Sequence, residues 1–219
     1  MARDLLVRGF DDQTHNKLGK IADERGVSLN SIVKDAVDKW LDQQSQIPKK
    51  HDLIIYANDS SMQNLLKSID RLAKEGDWFR CFCAPPDNPV VKLLEKLNWY
   101  DGTIKPYNPK QKGISDYCGK IMGKVAKEAG KKHVCCTDFI LGDVARHDLR
   151  QAVQIEHGYN QGRIPGLMFC PYKTETLLEA GIDDMMDLFM EHDQIFILKN
   201  DELFKMHVTK ENVHKLFLN

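Results

Sequence analysis

HDLIIYANDSSMQNLLKSIDRLAKEG, residues 51–76, decides how this chain folds. DLIIYA (52–57) is a short, almost unbroken apolar run, the pattern of a strand buried on both faces rather than one. An amphipathic helix over 60–76 follows at once and stops at Gly76. The same alternation continues downstream. WFRCFCA (78–84), HVCCTDF (133–139), GLMFCPY (166–172) and QIFIL (194–198) read as strands. Between them lie helical stretches at VVKLLEKLNW, at about 114–130, from 139 through about His157, and around LLEAGIDDMMDLFMEH. MHV (206–208) reads as a further edge strand. Strands and helices at this spacing imply βαβ units, hence a mostly parallel sheet in a three-layer α/β domain over 51–219.

A parallel sheet raises nucleotide binding first. The loop ANDSSMQN after the first strand contains no glycine, and neither G-x-x-x-x-G-K-[ST] nor G-x-G-x-x-G follows any strand. A backbone cannot approach a polyphosphate closely without those glycines, so ATP or NAD use of the usual kind is disfavoured. No spacing supports a hydrolytic triad, a paired-carboxylate glycosidase or a protease, and the chain reads as no enzyme. In open α/β sheets the ligand crevice lies beyond the carboxyl ends of the strands. Those ends carry Tyr56 and Asn58, Cys83, Cys136 with Thr137 and Asp138, and Cys170 with Tyr172. Three of the four therefore present a cysteine. Thiolates select soft metals or oxidants, with His133, His147 and His192 as further donors. The same cysteines also suit the interior of a sheet, where cysteine packs as a small apolar residue, and no C-x-x-C spacing is present. An apolar or organic ligand fits the crevice as well, so the cofactor stays unknown. His51 and His192 fit a structural hydrogen-bonding role or a place in the site.

Upstream of residue 51, QQSQIPKK (43–50) is polar and contains Pro48, giving a linker at 45–50 between a domain over 1–44 and the larger one. LLVRGF (5–10) reads as a strand with no second strand nearby to pair with. Asp11 or Asp12 caps a helix striped with Leu18, Ile21 and Ala22, and Gly26 ends it. Ser28 caps the next, whose stripe is Leu29, Ile32, Val33, Ala36, Val37, Trp40 and Leu41. That face is too wide for a unit of this size to bury alone, so the apolar excess demands a partner.

VRGFDDQTHNKL (7–18) followed by ERGVSLNSIV (24–33) resembles the ribbon-helix-helix proteins of the Arc/CopG class and their antitoxin relatives, over roughly residues 3–43. The resemblance implies a homodimer whose two strands pair antiparallel and enter the major groove of double-stranded DNA, with higher oligomers on tandem sites. If Leu5 and Val7 face the shared core, period two turns Asp4, Leu6 and Arg8 outward, with Arg3 beside them. Arg8 suits guanine O6 and N7 together. Ser28, Asn30 and Ser31 open the second helix and would meet a phosphate. Acidic residues slightly outnumber basic ones over 1–46, so there is no broad basic footprint.

HDLIIY (51–56), LMFCPY (167–172) and MEHDQIFI (190–197) resemble the MEDS sensory domains, over about 51–200. Those domains are RecA/KaiC-type sheets without the phosphate loop, fused to DNA-binding units and thought to sense small molecules. The two resemblances together imply a transcriptional regulator answering a small-molecule, metal or redox effector. An antitoxin-type autoregulator and an enzyme with an autoregulatory DNA-binding unit are the alternatives. Composition agrees with a folded protein: 219 residues, 42% hydrophobic and 29% charged, with a net charge of -1 that gives no general pull towards nucleic acid or membrane. No apolar run is long enough to span a bilayer, and Asp4 precedes any signal-type segment, so the expected address is the cytoplasm, where the six cysteines stay reduced.

Overall fold

The computed structural model describes residue 9 and residues 11–45, 51–162 and 164–206, with only the backbone of 38–45. The chain divides into two compact units, Met1–Ile47 and Pro48–Asn219.

The first unit contains α1 (Asp12–Arg25) and α2 (Leu29–Ser45). Asp11 caps α1, its carboxylate accepting from the Thr14 amide at 2.6 Å. Gly26 ends the helix at φ +62°, a left-handed geometry that glycine adopts without strain. Ser28 opens α2 by accepting from the Ser31 amide at 3.1 Å. Apart from Gly9, the strand expected over 5–10 lies outside the described residues, and its pairing with it.

The second unit is α/β. Its strands are β1 (Asp52–Tyr56), β2 (Phe79–Cys83), β3 (Tyr100–Asp101), β4 (Val134–Asp138), β5 (Gly166–Lys173), β6 (Gln194–Lys199) and β7 (Glu202–Met206). Among the described residues they form one seven-stranded sheet in the order β3-β2-β4-β5-β1-β6-β7. All pairings are parallel except β6 with β7. β1 sits between β5 and β6 with every residue buried, which is why its sequence shows no alternation.

The helices are α3 (Asp59–Glu75), α4 (Val91–Lys96), α5 (Ile114–Ala129), α6 (Ile140–Ala145), α7 (Leu149–Gln161), α8 (Thr174–Leu178) and α9 (Ile182–Met190). Alternation along the strands sorts the core into two layers. Leu53, Ile55, Cys81, Cys83, Cys136, Cys170 and Tyr172 pack with residues of α5, α6, α7 and α9. Ile54, Tyr56, Phe82, Cys135 and Leu198 pack with residues of α3 and α4. α6 lies so close to β5 that a β-carbon on Gly142 would stand 2.5 Å from the Pro171 carbonyl oxygen, a place only glycine fills.

Three readings from sequence need correction. The helix expected from 139 through 157 is two helices, because Asp148 starts α7 afresh by accepting from the Gln151 amide at 3.0 Å. The helical stretch around 177–192 likewise splits into α8 and α9. An edge strand is present at Glu202–Met206, starting four residues before the expected 206–208, of which His207 and Val208 lie outside the described residues. Asn200 and Asp201, both at positive φ, make the tight two-residue turn that folds β7 back on β6.

Candidate functional site

α7 lies over one face of the sheet and turns Glu156 and Tyr159, three residues apart, towards the strands. Glu156 is completely buried. Four side chains meet its carboxylate. The Tyr172 hydroxyl donates to Oε1 at 2.7 Å, and the Cys170 thiol lies 3.5 Å from Oε2. His51 Nε2 contacts Oε2, and His192 Nε2 stands 3.4 Å from Oε1. The two imidazoles are packed edge to face with centroids 4.5 Å apart. Burial alone would raise the Glu156 pKa, but the two imidazoles hold it well below the usual carboxylate range. For His51 the balance runs the other way. Burial lowers its pKa, and the facing carboxylate outweighs this and raises it.

His51 immediately precedes β1, His192 precedes β6, and Cys170 sits beside Leu53 in the parallel register. This centre therefore lies towards the amino ends of β1 and β6. The expected crevice at the carboxyl ends does not contain it.

Cys83, Cys136 and Asp138 form a second group under the same helices. Cys136 is beside Cys81, and Cys83 beside Asp138, on adjacent strands. Asp138 accepts from the Ile140 amide at 2.8 Å and the Tyr159 hydroxyl at 3.1 Å. Burial, helped by Cys136 and Glu156, raises its pKa to about 8. All six cysteines are free and buried. The Cys83 thiol is pushed up by its hydrogen bond with Cys136 and by burial, and Cys170 by burial. Those two thiols are poor redox sensors, whereas hydrogen bonds from Cys81 and Cys83 hold the buried Cys136 thiol well below its ordinary range.

Tyr56 faces the opposite layer, against the edge of Phe139. With Arg146, Lys173 and Glu175 it lines a cleft of about 160 Å³ at the carboxyl ends of β1 and β5. Lys173 is already paired there with Asp59 at 3.1 Å. Asn58 caps α3, accepting from the Ser60 amide at 2.8 Å. His133 and His147 are exposed and belong to neither group, so they are not further donors.

Sequence reasoning placed His51, Cys170, Tyr172 and His192 among the candidates, and the structure brings these four together. It missed Glu156 and Tyr159. The signal was present in LRQAVQIEHGYNQ, where Leu149, Ala152, Glu156 and Tyr159 share one helical stripe. A carboxylate on an apolar stripe marks a buried charge that needs partners. Of the expected DNA contacts, Arg3, Asp4, Leu6 and Arg8 lie outside the described residues. Ser28 and Asn30 are exposed at the start of α2, and the Ser31 amide is taken by Ser28 rather than offered to a phosphate.

No protein-family model matches the chain, and no curated protein does. Among solved structures it is similar to a protein from Pyrococcus horikoshii OT3, with a TM-score of 0.48 and 10% identity over 75% of this chain and 89% of that one. It is also similar to an ATPase domain, with a TM-score of 0.41 and 10% identity over 80% of this chain and 84% of the other. Both likenesses are too weak to bear on function. Among the described residues no helix is long and apolar enough to cross a membrane.

Proposed function

We propose that the chain is a DNA-binding transcriptional regulator, dimerising and gripping its operator through the N-terminal unit and answering an effector through the α/β unit. The observation that carries this reading is the apolar excess of α1 and α2. Among their residues with described side chains only Ala22 is buried, while Ile21, and Val27 between the two helices, are exposed. Leu18, Leu29, Ile32 and Val33 are only half-buried. A unit this small does not hold such a surface in water by itself. A second copy, with strands 5–10 paired and helices interleaved, would cover it and turn LLVRGF into a two-stranded ribbon.

On that ribbon Arg8 is the base reader, flanked by Arg3, Asp4 and Leu6, and Ser28 and Asn30 approach the phosphate backbone. The α/β unit supports a sensory role because it combines a glycine-free first loop with a dry cluster of ionisable groups around Glu156. Buried ionisable clusters with shifted pKa values concentrate at functional sites.

The test is selection of an operator from a random DNA pool by the full chain, followed by anisotropy titrations. Arg8→Ala is expected to weaken the selected site roughly 5- to 150-fold, the worth of a good bidentate guanine contact. Light scattering should still give a dimer. A monomeric wild type, or one that selects no sequence, would sink the proposal.

A further inference from the structure

We propose that His51, Glu156, Cys170 and His192 form a closed site for one divalent transition-metal ion, zinc by its donor chemistry. This deepens the sensory reading by naming the class of effector, and it rests on that reading only for its regulatory meaning.

The four donors come from four separate parts of the fold: the lead into β1, α7, β5, and the loop between α9 and β6. Their ligating atoms all lie within 4.8 Å of one another, and all four residues are buried. Donors around a tetrahedral zinc, at the usual metal–nitrogen and metal–sulfur distances, stand about 3.3–3.8 Å apart. Small side-chain rotations close that gap.

The imidazoles supply the independent observation. His192 Nδ1 lies 2.7 Å from the Leu188 carbonyl oxygen, which can only accept, so Nδ1 carries a hydrogen. In the neutral ring Nε2 is then a lone pair, and it points at the Glu156 carboxylate. Nε2 of His192 is buried without a hydrogen-bond partner, and Nε2 of His51 meets only the same carboxylate. A lone pair aimed at a carboxylate in a dry interior needs a cation between them.

The donor set decides which cation. A divalent ion with one thiolate, one carboxylate and two neutral imidazoles sums to zero, which suits burial. A single proton shared by His51 and Glu156 would also balance the charge, but it leaves the His192 Nε2 lone pair facing Oε1 at 3.4 Å, which a metal ion would cover. Mixed nitrogen, sulfur and oxygen donors in fourfold number fit zinc, whereas magnesium and calcium take oxygen donors in larger number. Binding releases the Cys170 proton to solvent as the sulfur–metal bond forms. The surroundings also orient the donors: Leu188 fixes the His192 tautomer, and the Tyr172 hydroxyl holds Glu156 Oε1. Four protein donors leave no position for a substrate, so the ion clamps α7 and the α9–β6 loop to the sheet rather than catalysing a reaction.

The experiment uses untagged full-length protein, stripped by chelator and reloaded with zinc or cobalt(II) in the absence of DNA, so that it and the operator test fail separately. Elemental analysis after dialysis is expected to give one zinc per chain. The cobalt form should show a thiolate-to-cobalt charge-transfer band that zinc bleaches. Cys170→Ser should lose that band, and Tyr172→Phe should retain it with affinity about 10–100-fold weaker. Wild type that holds no stoichiometric metal, or cobalt spectra without a thiolate band, would overturn the site irrespective of how the variants fold. A thiolate band surviving in Cys170→Ser would overturn it as well.

Discussion

Two of the carboxylates buried in the α/β unit, Asp70 and Glu156, lie on opposite sides of the sheet and are satisfied in different ways. Asp70 of α3 receives hydrogens from Lys74 at 2.7 Å, Arg80 at 2.5 Å and the Trp99 indole at 2.9 Å. Every partner is a donor by nature, and two are cations. Glu156 of α7 receives the Tyr172 and Cys170 hydrogens and meets His51 Nε2, but its remaining neighbour, His192 Nε2, is an imidazole nitrogen whose hydrogen lies on the other side of the ring. The first carboxylate is complete within the protein. The second still faces a buried imidazole nitrogen with no hydrogen to offer, and on the proposed reading this is the difference between a structural anchor and a site.

The largest effect that would separate the two is the response to metal removal. A ligand present at a thousandfold excess over its Kd stabilises the native state by about 4 kcal/mol. Urea unfolding of zinc-loaded wild type should lose stability on that scale when chelator is added, and Glu156→Gln should not respond. Asp70→Ala is the matched control. It leaves Arg80 with only the Leu97 carbonyl at 3.2 Å and should cost about 3 kcal/mol, the lower end for breaking a buried ion pair because Lys74 and Arg80 keep some solvent. Its chelator-dependent loss should equal that of wild type. A changed increment would show that the two faces are coupled and break the comparison.

pH should pull on the two faces in opposite directions. Burial alone would raise Asp70, but hydrogen bonds from Lys74, Trp99 and Arg80 bring it below the usual carboxylate value. Its contribution is present above the unfolded pKa of about 3.9 and disappears as pH falls through the lower folded value. Asp138, raised to about 8, keeps its proton in the native state long after the unfolded chain has released it. Stability from this group is full below about pH 4 and is lost as pH rises towards 8. Metal-stripped protein should therefore show a falling limb between those values that Asp138→Asn flattens. Measuring unfolding free energy across that range in both proteins checks the sign, and an unchanged slope would rule Asp138 out as its cause.

The sheet was legible because its signals are local. Unbroken apolar strands such as DLIIY can only be central, and the structure has β1 buried between two neighbours. Asp11, Gly26 and Ser28 also act as the caps that their types suggest. The centre was legible only in part, because strand periodicity does not say how far along a strand a residue meets its neighbours. Cys170 was placed at a carboxyl end, yet it stands beside Leu53, one residue past the start of β1, since β5 begins earlier. Glu156 was passed over because its partners lie far from it in sequence. The Asn200-Asp201 turn was missed because the edge strand was sought in MHV, four residues too late.

The smallest predicted effect isolates what a cysteine contributes on each face. Cys135 and Cys136 are consecutive, so they point to opposite sides of β4. Cys135 packs with Ile69, Ala73, Trp78 and Phe169 on the side of Asp70, and burial pushes its thiol up to about 12. Asp70 and Arg80 act on it only through their charge, and it serves as a small apolar side chain. Cys135→Ala should cost about 1 kcal/mol in urea unfolding, typical of a modest core truncation, and leave the cobalt charge-transfer band intact. Cys170→Ala removes a side chain of the same size from an equally buried position, but there the thiol meets Glu156. If both variants lost only packing, cysteine would be filling space on either face. Loss of the band in Cys170→Ala alone would tie the chemistry to the side of the sheet where the donors stand unpaired.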